Sequence, residues 1–173
     1  MPGGFAGIYP VLRSFEESGR CRRGYFVGSL GAAQFGSTGA VDRLRSVAGE
    51  SSRGQAVVLA ATDPANPYGA AVPWPERAEA GGHRPGRKAG ALVILVDGDL
   101  AAYVERGGRT LLTFEPEATD AALAALADTV HSGRLDQLAI ESINGERALG
   151  SPLGAALESV GFRATPKGLR LRS

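Results

Sequence analysis

The stretch ATDPANPYGAAVPWP, residues 61–75, limits the possible folds more than any other segment of the chain. Pro64, Pro67, Pro73 and Pro75 each fix φ and lack an amide donor, so neither a helix nor a central strand can run through it. The β-branched run AVVLA just before it must therefore reach its next partner through a long, stiff excursion. Asp63 and Asn66, each ahead of a proline, read as turn starters, and Gly69 lets the backbone reverse beside Tyr68. The same excursion holds Trp74, the single tryptophan of the chain. Two roles are open to it. As a cap it would close one end of a core, with Trp74 buried against apolar strand residues and Tyr68 near the rim. As a preorganised loop with little entropy to lose, it could present Asp63 and Asn66 to a ligand.

Upstream, Phe5, Ile8, Tyr9, Leu12 and Phe15 fall at helical spacing, and Gly19 stands where a glycine stop is expected. One amphipathic helix over 5–18 follows, with Pro10 near its first turns. A strand is expected over 22–27, a tight turn at 28–31 and a returning strand over 32–35. Helix, basic strand, turn and strand make the second half of a winged helix, with the helix as the groove-entering element and the hairpin as the wing. The first two helices of such a fold are expected upstream of this chain. Ser37 or Thr38 can cap a short helix, and GESSRGQ reads as a link.

Composition changes at Ala56. AVVLAAT, ALVILVDG, DLAAYVERGG and RTLLTFE are strands, with DGD at 97–99 and GG at 107–108 as hairpin turns, so three of them form an antiparallel meander. A helix capped by Thr119 and stopped by Gly133 presents Leu123, Leu126 and Val130 on one face. Another strand ends in an Asn-Gly turn, and Ser151-Pro152 open a helix that Gly161 closes. The last stretch, FRATPKGLRLR, alternates apolar and basic residues about a turn at 166–168, which suits a sheet edge. The expected fold is α+β: a partial winged helix with a short connecting helix at 1–54, packed on an antiparallel β-barrel-like domain with two helices at 55–173. Residues 57–60, 92–96, Leu111, Leu112, Leu126 and Ile140 form its expected core.

The formal net charge is +1, but its distribution is uneven. Residues 1–53 carry seven arginines against four acids, residues 115–160 two arginines against eight acids, and residues 163–172 four basic side chains and no acid. Such a field suits a polyanion at one face better than a membrane, and no apolar run approaches the roughly 20 residues needed to span one. The single cysteine, Cys21, excludes an internal disulfide and a thiolate zinc cluster, which points to a cytosolic chain. His83 and His131 are too far apart in sequence to suggest a metal site.

Taken together, GGFAGIYPVLRSFEESGRCRRGYFVGSLGAAQF, AVDRLR, VLAATDPANPYGAAVPWP, RPGRKAGALVILVDGDLAAYVERGGRTLLTF and GFRATPKGLRLR resemble the extreme C-terminus of the bacterial large helicase-related proteins, Lhr. The resemblance covers essentially the whole chain. It implies the last winged-helix remnant plus barrel of an ATP-dependent superfamily 2 DNA helicase involved in DNA repair, in the bacterial cytoplasm and nucleoid. ATP and Mg would bind in the parent's helicase core. This chain has no G-x-x-x-x-G-K-[ST] phosphate loop and implies no cofactor of its own. Single-stranded or tailed duplex DNA, the rest of the parent chain and further copies in a homo-oligomer are the implied partners.

The resemblance also brings an association with uracil glycosylase activity. That chemistry needs an extruded base held by stacking and edge hydrogen bonds, with a carboxylate or amide placing water. Asp63 is the candidate for the water, Asn66 for the base edge, and Tyr68 or Trp74 for stacking. The glutamine-x-glutamine motif of crosslink glycosylases is absent, with Gln34, Gln55 and Gln137 each isolated. For phosphate contacts without base reading, the candidates are Arg13 on the groove helix, Arg20, Arg22 and Arg23 at the wing, Arg84, Arg87 and Lys88 in HRPGRK, and Lys167 and Arg170 near the end. The third function class is assembly, with the barrel holding winged helices or neighbouring subunits together.

Overall fold

The structure is a computed structural model that describes residues 4–28, 31, 33–49, 54–76 and 82–173. The chain divides into two compact units, residues 1–51 and 52–173. The first begins with helix α1, Gly4–Glu17, which carries Pro10 inside it. The helix ends as the sequence predicts: Gly19 has φ 75°, its N–H donates to Glu16, and the Arg20 N–H donates to the Phe15 carbonyl at 2.8 Å. That paired closure needs a left-handed residue at Gly19. Strands β1, Cys21–Gly24, and β2, Gln34–Ser37, pair antiparallel with Cys21 opposite Ser37. Helix α2, Thr38–Gly49, follows at once, with the Ser37 hydroxyl accepting the Ala40 N–H. The expected turn at 28–31 and link at 49–55 lie partly outside the described residues.

This unit buries little. Cys21 and Val41 are its buried apolar residues among those described, whereas Phe5, Ile8, Val11 and Phe15 of α1 and Leu44 and Val47 of α2 are each 40–53% exposed. Tyr9 turns the other way and meets Phe35 edge-on, with ring centroids 5.9 Å apart.

The second unit is built on a six-stranded sheet in the order β3-β4-β5-β6-β8-β9. Its first four strands are β3 (Ala56–Ala60), β4 (Leu92–Val96), β5 (Asp99–Val104) and β6 (Thr110–Thr113), all antiparallel neighbours. Asp97 and Gly98 turn β4 into β5 with φ of 53° and 95°, the mirror-image turn that Asp-Gly favours. After a 3-10 turn at Pro116–Ala118 comes helix α3, Thr119–His131, then β7, Gln137–Ile140. Short strands β8, Ser142–Ile143, and β9, Glu146–Arg147, precede helix α4, Pro152–Ser159, and the hairpin β10, Arg163–Thr165, with β11, Gly168–Arg172. Strands β10, β11 and β7 form a separate three-stranded sheet.

Strand β4 reads LVILV without alternation because both faces of the sheet are covered. Ile94 and Val96 point into a core that contains Leu123, Leu126 and Val130 of α3, while Val93 and Leu95 point into a second core with Tyr68, Leu100, Tyr103 and Leu112. A register shift between Ile94 and Leu95 lets Ala101 and Ala102 of β5 both serve the first core.

Four expectations need correction. Among the described residues no closed barrel is found: there β3 is bonded to β4 alone, and the chain from β7 to β8 passes from one sheet to the other at Glu141. The Arg109 carbonyl accepts both the Glu141 and Ser142 N–H groups at that corner. Nor is the ladder wholly antiparallel, since β6 and β8 run parallel, Leu111 opposite Ile143. As an edge strand, β3 leaves Val57 43% exposed and Ala60 exposed rather than in the core. Finally, Thr119 does not cap α3; it is the first helical residue, and its hydroxyl donates to the Glu115 carbonyl. Ser151 does cap α4, its hydroxyl accepting the Gly154 N–H at 2.9 Å.

Candidate nucleic-acid interface

In the first unit the sequence-predicted arginines surround the helix and hairpin, but they do not form one cluster. Arg22 and Arg23 are consecutive in a strand and so leave opposite faces of the ribbon. Arg22 Nη1 donates to Asp42 Oδ1 on α2 at 3.1 Å, a carboxylate that Arg45 also approaches at 3.7 Å. Arg23 Nη1 donates to the Tyr9 hydroxyl at 3.0 Å, with its Nε 3.5 Å from Glu16 on α1. Arg13 pairs with Glu17 one turn on, at 3.1 Å, and the Arg20 guanidinium sits 5.5 Å from the centre of the Phe15 ring. Exposed pairs of this kind contribute about 1 kcal/mol or less, so a phosphate can take over the arginine at little cost.

The wing is held by a residue that sequence reasoning left without a role. The Gln34 Oε1 accepts the N–H groups of Phe26 and Val27 at 2.9 and 2.8 Å, and its Nε2 donates to the carbonyls of Val27 and Gly31. Cys21 is buried, with its thiol 3.4 Å from the Leu12 carbonyl, which ties the strand to α1.

In the second unit, the proline-rich loop lies over the sheet face opposite α3 and completes the second core. Here the expected roles of the two aromatics are reversed. Tyr68 is 8% exposed and its hydroxyl accepts the Leu100 N–H at 3.0 Å, while Trp74 is half-buried. The indole stacks on Tyr68 at 6.1 Å and meets Tyr103 edge-on at 5.8 Å. Trp74 lies so close over Gly69 that a Cβ there would collide with the indole, and Gly69 has φ 73° besides.

Asn66 is 1% exposed, and its amide is spent on the loop: Nδ2 donates to the Ala61 carbonyl at 2.9 Å and Oδ1 accepts the Tyr68 N–H at 3.0 Å. Half-buried Asp63 closes its own turn, Oδ1 accepting the Ala65 N–H at 2.8 Å. Arg87 binds the loop from outside. Its Nη1 donates to the carbonyls of Asn66 (2.7 Å) and Tyr68 (3.3 Å), its Nη2 to those of Asp63 (2.9 Å) and Thr62 (3.2 Å). A guanidinium so engaged is a clasp, not an open phosphate contact. Tyr103, fully buried, donates to the Gly86 carbonyl at 3.1 Å. Burial raises its phenol above the usual value, and the nearby Glu105 carboxylate adds to the rise.

Arg84 and Lys88 are exposed beside this loop, and Lys167 is exposed at the β10–β11 turn. Arg170 is half-buried on β11, directly opposite Arg163, a residue not among the sequence candidates. Only the hairpin register reveals that pairing. His83 Nδ1 lies 2.9 Å from Glu105 Oε2. Among the described residues no group of three or more His, Cys, Asp or Glu could hold a metal, and no helix is long and apolar enough to cross a membrane.

A helix, a hairpin and a second helix in this order match a known domain family. Residues 1–56 fit the description "Large helicase-related protein, winged-helix domain". The N-terminal unit carries the winged-helix domain of the large helicase-related family. It is 55% identical over 185 aligned residues to "Lhr helicase/ probable uracil glycosylase" of Mycolicibacterium smegmatis, which covers 99% of this chain and 12% of that protein. It is 36% identical over 179 residues to "Lhr helicase/uracil glycosylase" of Escherichia coli, covering 98% of this chain and 11% of the relative. The chain thus spans about an eighth or less of the length of the curated relatives it matches. In its winged-helix unit, α1 is the helix that precedes the wing, and β1 and β2 are the wing strands.

Proposed function

We propose that the chain is a nucleic-acid-binding and scaffolding module of an ATP-dependent DNA helicase that acts in DNA repair in the bacterial cytoplasm and nucleoid. ATP and Mg would be bound by the helicase core of the longer protein. The module's partners would be single-stranded or tailed duplex DNA, the rest of that protein and further copies of it. The observation that carries this reading is the winged-helix unit, in which Arg13, Arg20, Arg22 and Arg23 sit on α1 and at the wing with only exposed or half-exposed partners. They would contact phosphates from both faces of the ribbon and read no base. The bare apolar faces of α1 and α2 favour the scaffolding half of the proposal, since a soluble unit gains by covering them.

Replacing Arg20, Arg22 and Arg23 together by alanine should lower the salt slope of duplex binding by roughly three units and weaken all sequences alike. An unchanged slope would assign these arginines to ordinary surface.

A second reading, a uracil glycosylase module, is favoured by the names of both relatives. Asp63 would position water and the outer face of half-buried Trp74 would stack on a base. Asn66 and Tyr68 would serve only by supporting the loop, because their polar atoms are already engaged. Base release from a uracil-containing strand by the longer protein, lost in Asp63→Asn with folding intact, is the expected result. Full release by that variant would remove Asp63 from the chemistry.

A further inference from the structure

We propose that the β10–β11 hairpin is a second nucleic-acid contact, which grips a single strand by its phosphates through Arg163, Arg170 and Arg172. The proposal rests on the nucleic-acid-binding reading above and adds to it a site on the other unit. In the hairpin register Arg163 stands directly opposite Arg170, and Arg172 lies two residues further along β11 on the same face, opposite Gln137 of β7. Three guanidinium groups are thereby gathered on one side of a three-stranded sheet. Like charges directly opposite one another destabilise an antiparallel pair. Among the described residues no carboxylate lies within ion-pair distance of Arg163, Arg170, Arg172 or Lys167, whereas Arg13, Arg22, Arg23, Arg45 and Arg109 all have one.

The face is also rigidly mounted. Leu169 and Leu171, which alternate with the arginines, are 1% and 5% exposed in the core shared with α3. At Gly168 the backbone of β11 passes so close to that of Ile140 that a side chain could not be accommodated. A surface depression of about 460 Å³ opens beside the arginines, with His131 at the end of α3 and Gly161 on its wall. A second, of about 280 Å³, shares Arg170 and Thr165 and extends to Lys167, with Glu141 as the one carboxylate on its wall. Planar forks fixed to a rigid sheet beside an open depression suit the oxygens of a phosphodiester backbone. The segment 163–172 offers four positive side chains and no negative one, so a polyanion meets no opposing charge from it.

The test uses the full chain with a fluorescein-labelled oligothymidylate, titrated at several salt concentrations. For the Arg163→Gln/Arg170→Gln/Arg172→Gln variant the salt slope should fall by about two units, at roughly 0.7 per phosphate for a single strand, and low-salt affinity should drop about tenfold or more. Circular dichroism controls for folding. If the half-buried Arg170 proves necessary for it, the Arg163→Gln/Arg172→Gln variant, altered only at exposed positions, should still lower the slope by more than about one unit. Wild-type binding with an unchanged slope in these variants overturns this site and leaves the winged-helix contact standing. No binding by wild type overturns both. If the variants lose binding to polyglutamate but keep oligothymidylate, the surface is for an acidic protein and the proposal is wrong.

Discussion

Arg87→Ala separates the clasp seen in the structure from the phosphate contact that the sequence suggested. The guanidinium donates to four backbone carbonyls of residues 62–68, and the two shorter bonds, to Asn66 at 2.7 Å and Asp63 at 2.9 Å, are partly buried. Bonds from a charged donor contribute about 1.5–3 kcal/mol each, the lower end applying where water can replace them. The two longer contacts add little. The loss should therefore be about 2–4 kcal/mol, concentrated in the loop. Because Trp74 is the only tryptophan and stacks on Tyr68 within that loop, its fluorescence reports the loop and its seat on Tyr103, while far-ultraviolet circular dichroism reports the whole chain. In urea, the fluorescence transition of Arg87→Ala should move to lower concentration and precede the dichroism transition. Arg87→Lys should rescue little, since a point ammonium cannot span the carbonyls that the planar fork reaches. A variant within about 0.5 kcal/mol of wild type, with coincident transitions, would refute the clasp.

Gly69→Ala should cost about 2 kcal/mol or more, because a left-handed alanine is strained and its methyl would collide with the Trp74 indole; a red-shifted tryptophan emission is the direct sign. Asp97→Ala should cost about 1–2 kcal/mol in urea, since its carboxylate accepts the N–H groups of Gly54 and Gln55 at 2.8 and 3.0 Å and so pins the start of β3. Tyr103 carries a pH prediction. Its phenol is raised in the folded state, chiefly by burial, so its contribution is fully present below the unfolded value of about 10 and is lost as pH rises through the folded value. Thermal melts should show that alkaline loss diminished in Tyr103→Phe, with about 1 kcal/mol lost at neutral pH for the missing bond to Gly86.

Local chemistry was legible where one residue type decides the geometry. Gly19, the Asp97-Gly98 turn and the Ser151-Pro152 cap all act as their sequence context predicts. The positive φ of Asn144 and Gly145 likewise matches the Asn-Gly turn between β8 and β9. What could not be read were pairings set by residues far apart in the chain. Nothing local to RTLLTFE says that β6 will pair in parallel with β8. The second face of β4 could not be read for the same reason: LVILV does not say what covers it, and the cover is the proline-rich loop, whose Tyr68 accepts the N–H of Leu100 from 32 residues away. Arginines on one short stretch looked alike in sequence, yet Arg22 and Arg23 part to opposite faces, Arg87 turns inward, and Arg163 and Arg170 converge. Side-chain direction, not composition, makes that difference.

Hydrogen exchange with and without a tailed DNA duplex tests most directly whether the chain holds nucleic acid by these surfaces. The account predicts slowed exchange in α1 and the β1–β2 hairpin, and in β10 and β11, with the acidic segment around α3 unaffected. Binding that leaves both hairpins unprotected, or protects only other segments, would contradict it.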